Sequence, residues 1–85
     1  MESKNLVIYL YSLSYNLVRE VLTKLGINLV LTRDIKKANI IIGLKKSIQK
    51  NSKLKNLAEQ RNILIYAVNR SSTYQIAKLL QFIVF

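Results

Sequence analysis

The 85-residue chain has no cysteine, histidine, proline or tryptophan, only two glycines and only four acidic residues. Each absence removes a class of function. Without cysteine there is neither a disulfide framework nor thiol catalysis, and without histidine the commonest metal ligand and general base is missing. Glu2, Glu20, Asp34 and Glu59 are scattered, so neither a carboxylate pair for hydrolysis nor an oxygen cage for Mg²⁺ or Ca²⁺ can be drawn. No apolar run approaches the ~20 residues of a membrane span, and Met1-Glu2-Ser3-Lys4-Asn5 leads into a strand-like run without the apolar core of a signal peptide. These absences predict a soluble intracellular protein that is not an enzyme and uses no cofactor and no metal.

What is present is apolar residues and positive charge. Hydrophobic residues make up 51% of the chain, too many for a disordered basic tail. A chain this short supports one core, so residues 1–85 are expected to form a single domain. Fourteen Lys and Arg against four acids give a net charge of +10, a field that recruits polyanions, with nucleic acid first and an anionic membrane surface second. Abundant Ile, Lys and Asn also fit an AT-rich coding sequence, so codon usage accounts for part of the lysine.

Leu6 to Tyr11 is a short β-branched and aromatic run, read as a buried strand. Leu17, Val18, Val21, Leu22 and Leu25 then form one stripe of a helix spanning about 15–25, with Ser14 as N-cap and Gly26 just past its end. Ile27 to Thr32 and Ala38 to Leu44 read as two more strands. The connector, Arg33-Asp34-Ile35-Lys36-Lys37, lacks a hairpin signal and suits a single helical turn capped by Asp34. A helix running from Leu44 to Arg61 would put Lys50 and Lys55 on its apolar side. Starting it at Ser52 aligns Leu54, Leu57, Ala58 and Arg61 and leaves Lys45 to Asn51 as a loop anchored by Ile48. A strand from Ile63 to Val68 follows, then a helix capped by Ser71 or Ser72 with Ile76, Leu79, Leu80 and Ile83 on one face. The order predicts a three-layer α/β domain, Rossmann-like or flavodoxin-like, with four mostly parallel strands in the order 2-1-3-4 and three helices, the first and last on one face.

In such a sheet the strands end at one edge, where ligands bind. Ser12 and Ser14, Arg33, Lys45 and Lys46, and Asn69 and Arg70 gather there, with Asp34 as the only acid. Lys53 and Lys55 fall in the first turn of a helix, where the macrodipole disfavours cations by ~0.3–1 kcal/mol each. A bound phosphate reverses that sign. The predicted site is therefore Lys45, Lys46, Lys50, Lys53 and Lys55 with Arg33 and Arg70, contacting nucleic-acid phosphates of RNA or single-stranded DNA. Tyr11 and Tyr15 flank the first loop as candidates for base stacking, while Tyr9 and Tyr66 belong to the core. A merely solvated lysine surface is the competing reading. The apolar Leu79 to Phe85 segment suits a buried helix end or a surface for self-association or a protein partner.

From Asp34 onward the chain resembles a segment of the plastid and cyanobacterial ATPase family called hypothetical chloroplast reading frame 45, relatives of a sporulation-stage-III ATPase. The counterparts are Tyr11 and Ser14 for a Tyr-Gly-x-Ser-Arg loop, and Asp34, Ile35 and Ala38 for Asp-Ile-x-x-Ala-Asp. Leu44 and Lys45 match a basic loop, Leu57, Ala58, Glu59 and Arg61 match Leu-Ala-Glu-x-Arg, and Ile65, Tyr66, Gln75 and Ile76 match the remainder. Ser12, Tyr15, Asn39 and Leu64 stand where the family has Gly, Arg, Asp and Pro. The resemblance implies a plastid (chloroplast stroma) setting and an accessory segment between an ATPase and a nucleic-acid-binding domain. With no Walker motif present, ATP hydrolysis does not carry over. The strand, Lys-rich loop and helix also resemble the kink-turn RNA-binding family over the second half. Sugar phosphotransferase carrier domains share the expected topology but use a Cys or His after the first strand, where Tyr11-Ser12-Leu13-Ser14 has neither. The leading expectation is a phosphate-contacting, non-enzymatic module, with a protein-interaction or structural module of a larger protein as the alternative.

Overall fold

In the computed structural model, which describes residues 6–85, the apolar runs become four parallel strands: β1 (Val7–Tyr11), β2 (Val30–Thr32), β3 (Ile40–Leu44) and β4 (Leu64–Val68). Their order is β2-β1-β3-β4, as predicted. The reading of Met1 to Asn5 lies outside the described residues. Alternation along β3 explains the three layers. Ile40 and Ile42 face one side with Ile8, the α1 residues Val18, Val21 and Leu22, and the α4 residues Ile76 and Leu80, where α1 is Tyr15–Leu25 and α4 is Thr73–Val84. Ile41 faces the other side with Ile48, Leu54, Ala58 and Ile63. A strand covered on both faces has no polar side to show, which is why β3 reads as one continuous apolar run.

Local chemistry sets the boundaries. The Ser14 hydroxyl accepts from the Leu17 amide at 3.1 Å and starts α1. Gly26, at φ +67°, ends it in a left-handed conformation that costs glycine nothing. The Asp34 carboxylate accepts from the Lys36 amide at 3.1 Å and caps the 3-10 turn Ile35–Lys37, which carries the chain from β2 across to β3.

The second crossover departs from expectation. Lys45–Gln49 is a helix, α2, rather than a loop, and the longer α3 spans Ser52–Gln60 with Asn51, not Ser52, as its N-cap. Five residues are too few to hold a helix on their own, and no side chain caps α2. It forms because Ile48 is buried against Ile41, Leu54 and Ala58. The break at Lys50 and Asn51 lets the two helices take separate phases, which keeps the lysines outside while both apolar faces reach the sheet. β2 is also shorter than the run from Ile27. The Ile27 amide donates to Leu22 O to close α1, and pairing with β1 begins at Val30.

Candidate phosphate-binding edge

The strand order turns distant residues into neighbours. Reading across the C-terminal edge, β2 delivers Arg33, β1 delivers Ser12 to Ser14, β3 delivers Lys45 and Lys46, and β4 delivers Asn69 and Arg70. Neighbouring strands stand about 4.8 Å apart, so these four exits span roughly 14 Å. The order reverses between β1 and β3, the point at which open α/β sheets leave a crevice. There Gly43 pairs with Tyr11, and the strands come close enough that a Cβ on Gly43 would stand 2.6 Å from Tyr11 O.

The β1–α1 connection is three residues long and strained. Ser12 has φ +60°, a conformation that non-glycine residues adopt at a cost and that clusters at functional sites. Ser12 and Ser14 are exposed, while Leu13 turns inward onto the α1–α4 core. Asp34, the one acid of this edge among the described residues, spends its carboxylate on the Lys36 amide.

Two ends of the edge differ. On the β2 side, the Arg33 guanidinium lies 4.3 Å from the centre of the Tyr15 ring and that of Arg19 lies 5.3 Å from it. The Tyr15 hydroxyl donates to Leu31 O at 3.2 Å and fixes the ring. A cleft of about 240 Å³ there is lined by Tyr9, Leu10, Leu13, Tyr15, Thr32 and Arg33. On the β3 side, Lys45, Lys46, Lys50, Lys53 and Lys55 are all exposed on α2, α3 and the corner between them. Neither helix has an acidic residue in its first turn.

The expected site residues are thus laid out in a line and do not converge. Arg33 and Arg70 follow the two edge strands, β2 and β4, and stand at opposite margins. Arg70 is exposed, its backbone amide donating to Gln75 Oε1 at 3.0 Å. Tyr11 is placed differently from expectation. It packs with the Ile41 cluster, and its hydroxyl accepts from Asn51 Nδ2 at 2.8 Å while Asn51 Oδ1 accepts from the Leu54 amide. Tyr11 therefore braces the start of α3 through its hydroxyl. Arg19 escaped the sequence reading, although its i, i+4 spacing from Tyr15 on a helix was the signal that could have found it.

Comparison with known proteins fits this geometry. The chain is 34% identical over 74 residues to the uncharacterized protein ycf45 of Porphyra purpurea, a plastid-encoded relative. The match covers 87% of this chain and 13% of the relative, so the chain spans about an eighth of that protein's length. The resemblance to the chloroplast reading frame thus holds. The lactose-specific IIB component domain of the phosphoenolpyruvate:carbohydrate phosphotransferase system from Streptococcus pneumoniae superposes with a TM-score of 0.60 at 15% identity, covering 95% of this chain and 96% of that one. That likeness shows the fold. Among the described residues no helix is long and apolar enough to cross a membrane. Residues 6–84 match the family model of phosphotyrosine protein phosphatase. This match overturns the expectation of a module outside enzyme chemistry, because the family is one of phosphatases. The chain itself holds no cysteine and no histidine, so this edge offers hydroxyls, backbone amides and cations. With a match that runs over nearly its whole length, the chain belongs to the phosphotyrosine protein phosphatase family.

Proposed function

We propose that the C-terminal edge of the sheet binds phosphoryl groups, and that the ligand presenting them is a nucleic-acid backbone contacted by Lys45, Lys46, Lys50, Lys53, Lys55, Arg33 and Arg70. The observation that carries this reading is the line of cations. A single phosphate is gripped by donors that converge on one point, whereas these charges are spread over the exits of β2, β3 and β4 and the helices after β3. That spread suits a polyanion with phosphates at intervals. Family membership supports phosphate as the recognised group, and the plastid-encoded relative supports a plastid stroma setting. The proposed context is an accessory segment of a longer ATPase-related protein, beside its nucleic-acid-binding machinery.

Titrating a labelled oligonucleotide by fluorescence anisotropy tests the reading. With about five phosphates contacted, affinity falls on the order of 100-fold between 50 and 200 mM salt. Replacing Lys45, Lys46 and Lys50 together with Ala lowers the salt slope by about two, since each lost phosphate contact removes ~0.7–0.9. An affinity indifferent to salt, or unchanged in the triple variant, overturns the proposal and favours a protein-interaction module docking through the exposed Tyr74 and Phe82 of α4.

A second reading is favoured by the strained Ser12 and by the family: a phosphomonoester held at the β1–α1 loop. Amide NMR with phosphotyrosine separates the two. Shifts confined to Ser12 to Asn16 support the monoester, and shifts spread over α2 and α3 support the polyanion.

A further inference from the structure

Tyr15 lines two clefts at once, the 240 Å³ cleft at the ends of β1 and β2 and a larger one of about 470 Å³ along α1 and the outer edge of β2, whose wall includes Arg19, Thr23 and Asn28. Its ring is approached by the guanidiniums of Arg33 and Arg19. Two cations on one ring stand no further apart than those two distances laid end to end, and they repel. Each guanidinium recovers only ~0.5–1 kcal/mol at a solvent-facing site, and among the described residues no acidic one lines either cleft. An anion beside them would relieve that repulsion.

The smaller cleft adds a second requirement. Leu10, Leu13 and the aromatic Tyr15 line it with Tyr9, Thr32 and Arg33, so it offers an aromatic residue beside a guanidinium. Its volume lies below the roughly 300–1,000 Å³ of a drug-sized pocket, so it accepts one small ring system. A nucleotide joins a flat ring to an anion, and guanidinium planes and tyrosine rings are platforms on which unstacked bases rest.

We propose that this cleft seats one unpaired base of a single-stranded nucleic acid, with Arg33 and Tyr15 backing the base and Arg19 meeting an adjacent phosphate. The inference rests on the nucleic-acid reading of the edge and deepens it by naming the class as single-stranded. A base inside a duplex reaches such a cleft only by leaving its stack and its partner.

Anisotropy with a short labelled single strand and a hairpin duplex, at one salt concentration, provides the test. The wild-type chain binds the single strand about tenfold more tightly, the value of roughly 1.4 kcal/mol of stacking. Arg19→Ala and Arg33→Ala, both at exposed positions, each lower the ratio of single-strand to duplex affinity severalfold, and their amide spectra report retained folding. Equal affinity for the two ligands in the wild type, or a ratio that survives in both variants, overturns the base site and leaves the lysine line standing. Failure of the wild-type chain to bind either ligand overturns the parent reading and this one with it.

Discussion

At the β2 end of the sheet, Arg33 and Arg19 lean on a tyrosine ring beside two clefts, while at the β3 end five lysines stand exposed on α2 and α3. The first arrangement fixes planes and directions, since a guanidinium presents a rigid fork and stacks on aromatic faces. The second fixes little beyond a potential, because an ammonium on a four-carbon stem is a mobile point charge. On the proposed polyanion surface the contrast would divide the labour: a diffuse field draws in and positions the backbone, and a shaped end discriminates. The kind and placement of the cations, more than their number, therefore distinguish the two ends.

The two ends are joined at Gly43, and the largest effect comes from breaking that joint. Gly43→Ala places a methyl group 2.6 Å from Tyr11 O and 3.1 Å from Ile48 Cδ1. A carbonyl in a paired strand cannot step aside, so β1 or β3 must shift and α2 with them. Overpacking of this kind costs about 3 kcal/mol, which for a domain this size lowers the melting temperature on the order of 15 °C. Thermal denaturation followed by circular dichroism measures it, and a drop of only a few degrees would show that the two ends are not braced against each other here.

Asn51→Ala attacks the lysine end alone. It removes the cap on the Leu54 amide and the donor to the Tyr11 hydroxyl in one step, for an expected loss of about 2 kcal/mol. The same substitution frees the start of α3, so amide exchange should quicken over residues 52–55 and not at α1. Tyr15→Phe is the counterpart at the arginine end. It deletes only the bond to Leu31 O and is expected to cost about 1 kcal/mol by urea denaturation. An equal loss from both substitutions would erase the distinction between a capped corner and a pinned ring.

The sequence carried the sheet and both flanking layers because they rest on periodic apolar patterns and local caps. Ser14, Asp34 and Ser72 announce their turns through side chains that accept from nearby amides, and Gly26 through its left-handed backbone. α2 was hidden because tertiary burial of Ile48 creates it. The positive edge was legible once the strands were taken as parallel, since strand ends meet wherever they lie in the chain. The Tyr15 cluster was less so. Arg19 and Tyr15 announce their proximity by helical spacing, but Arg33 joins them only through the register of β2 against β1, which the apolar run from Ile27 to Thr32 leaves open. The unusual course of Tyr11 depends likewise on Asn51, forty positions away.

The smallest effect is the one whose sign matters most. Lys53 lies in the first turn of α3, a turn without an acidic residue, where the helix dipole opposes a positive side chain. Lys53→Glu exchanges that opposition for attraction and is expected to stabilise the fold by about 0.5 kcal/mol, read as a higher urea midpoint at low ionic strength and fading with added salt. If the lysine end contacts phosphates, the same substitution weakens oligonucleotide binding on the order of tenfold, because it removes one contact and adds a like charge beside the backbone. Stability and affinity then move in opposite directions. A solvated surface with no ligand gives the first change without the second, so this one variant separates a lysine kept at a cost for binding from a lysine that is there by composition alone.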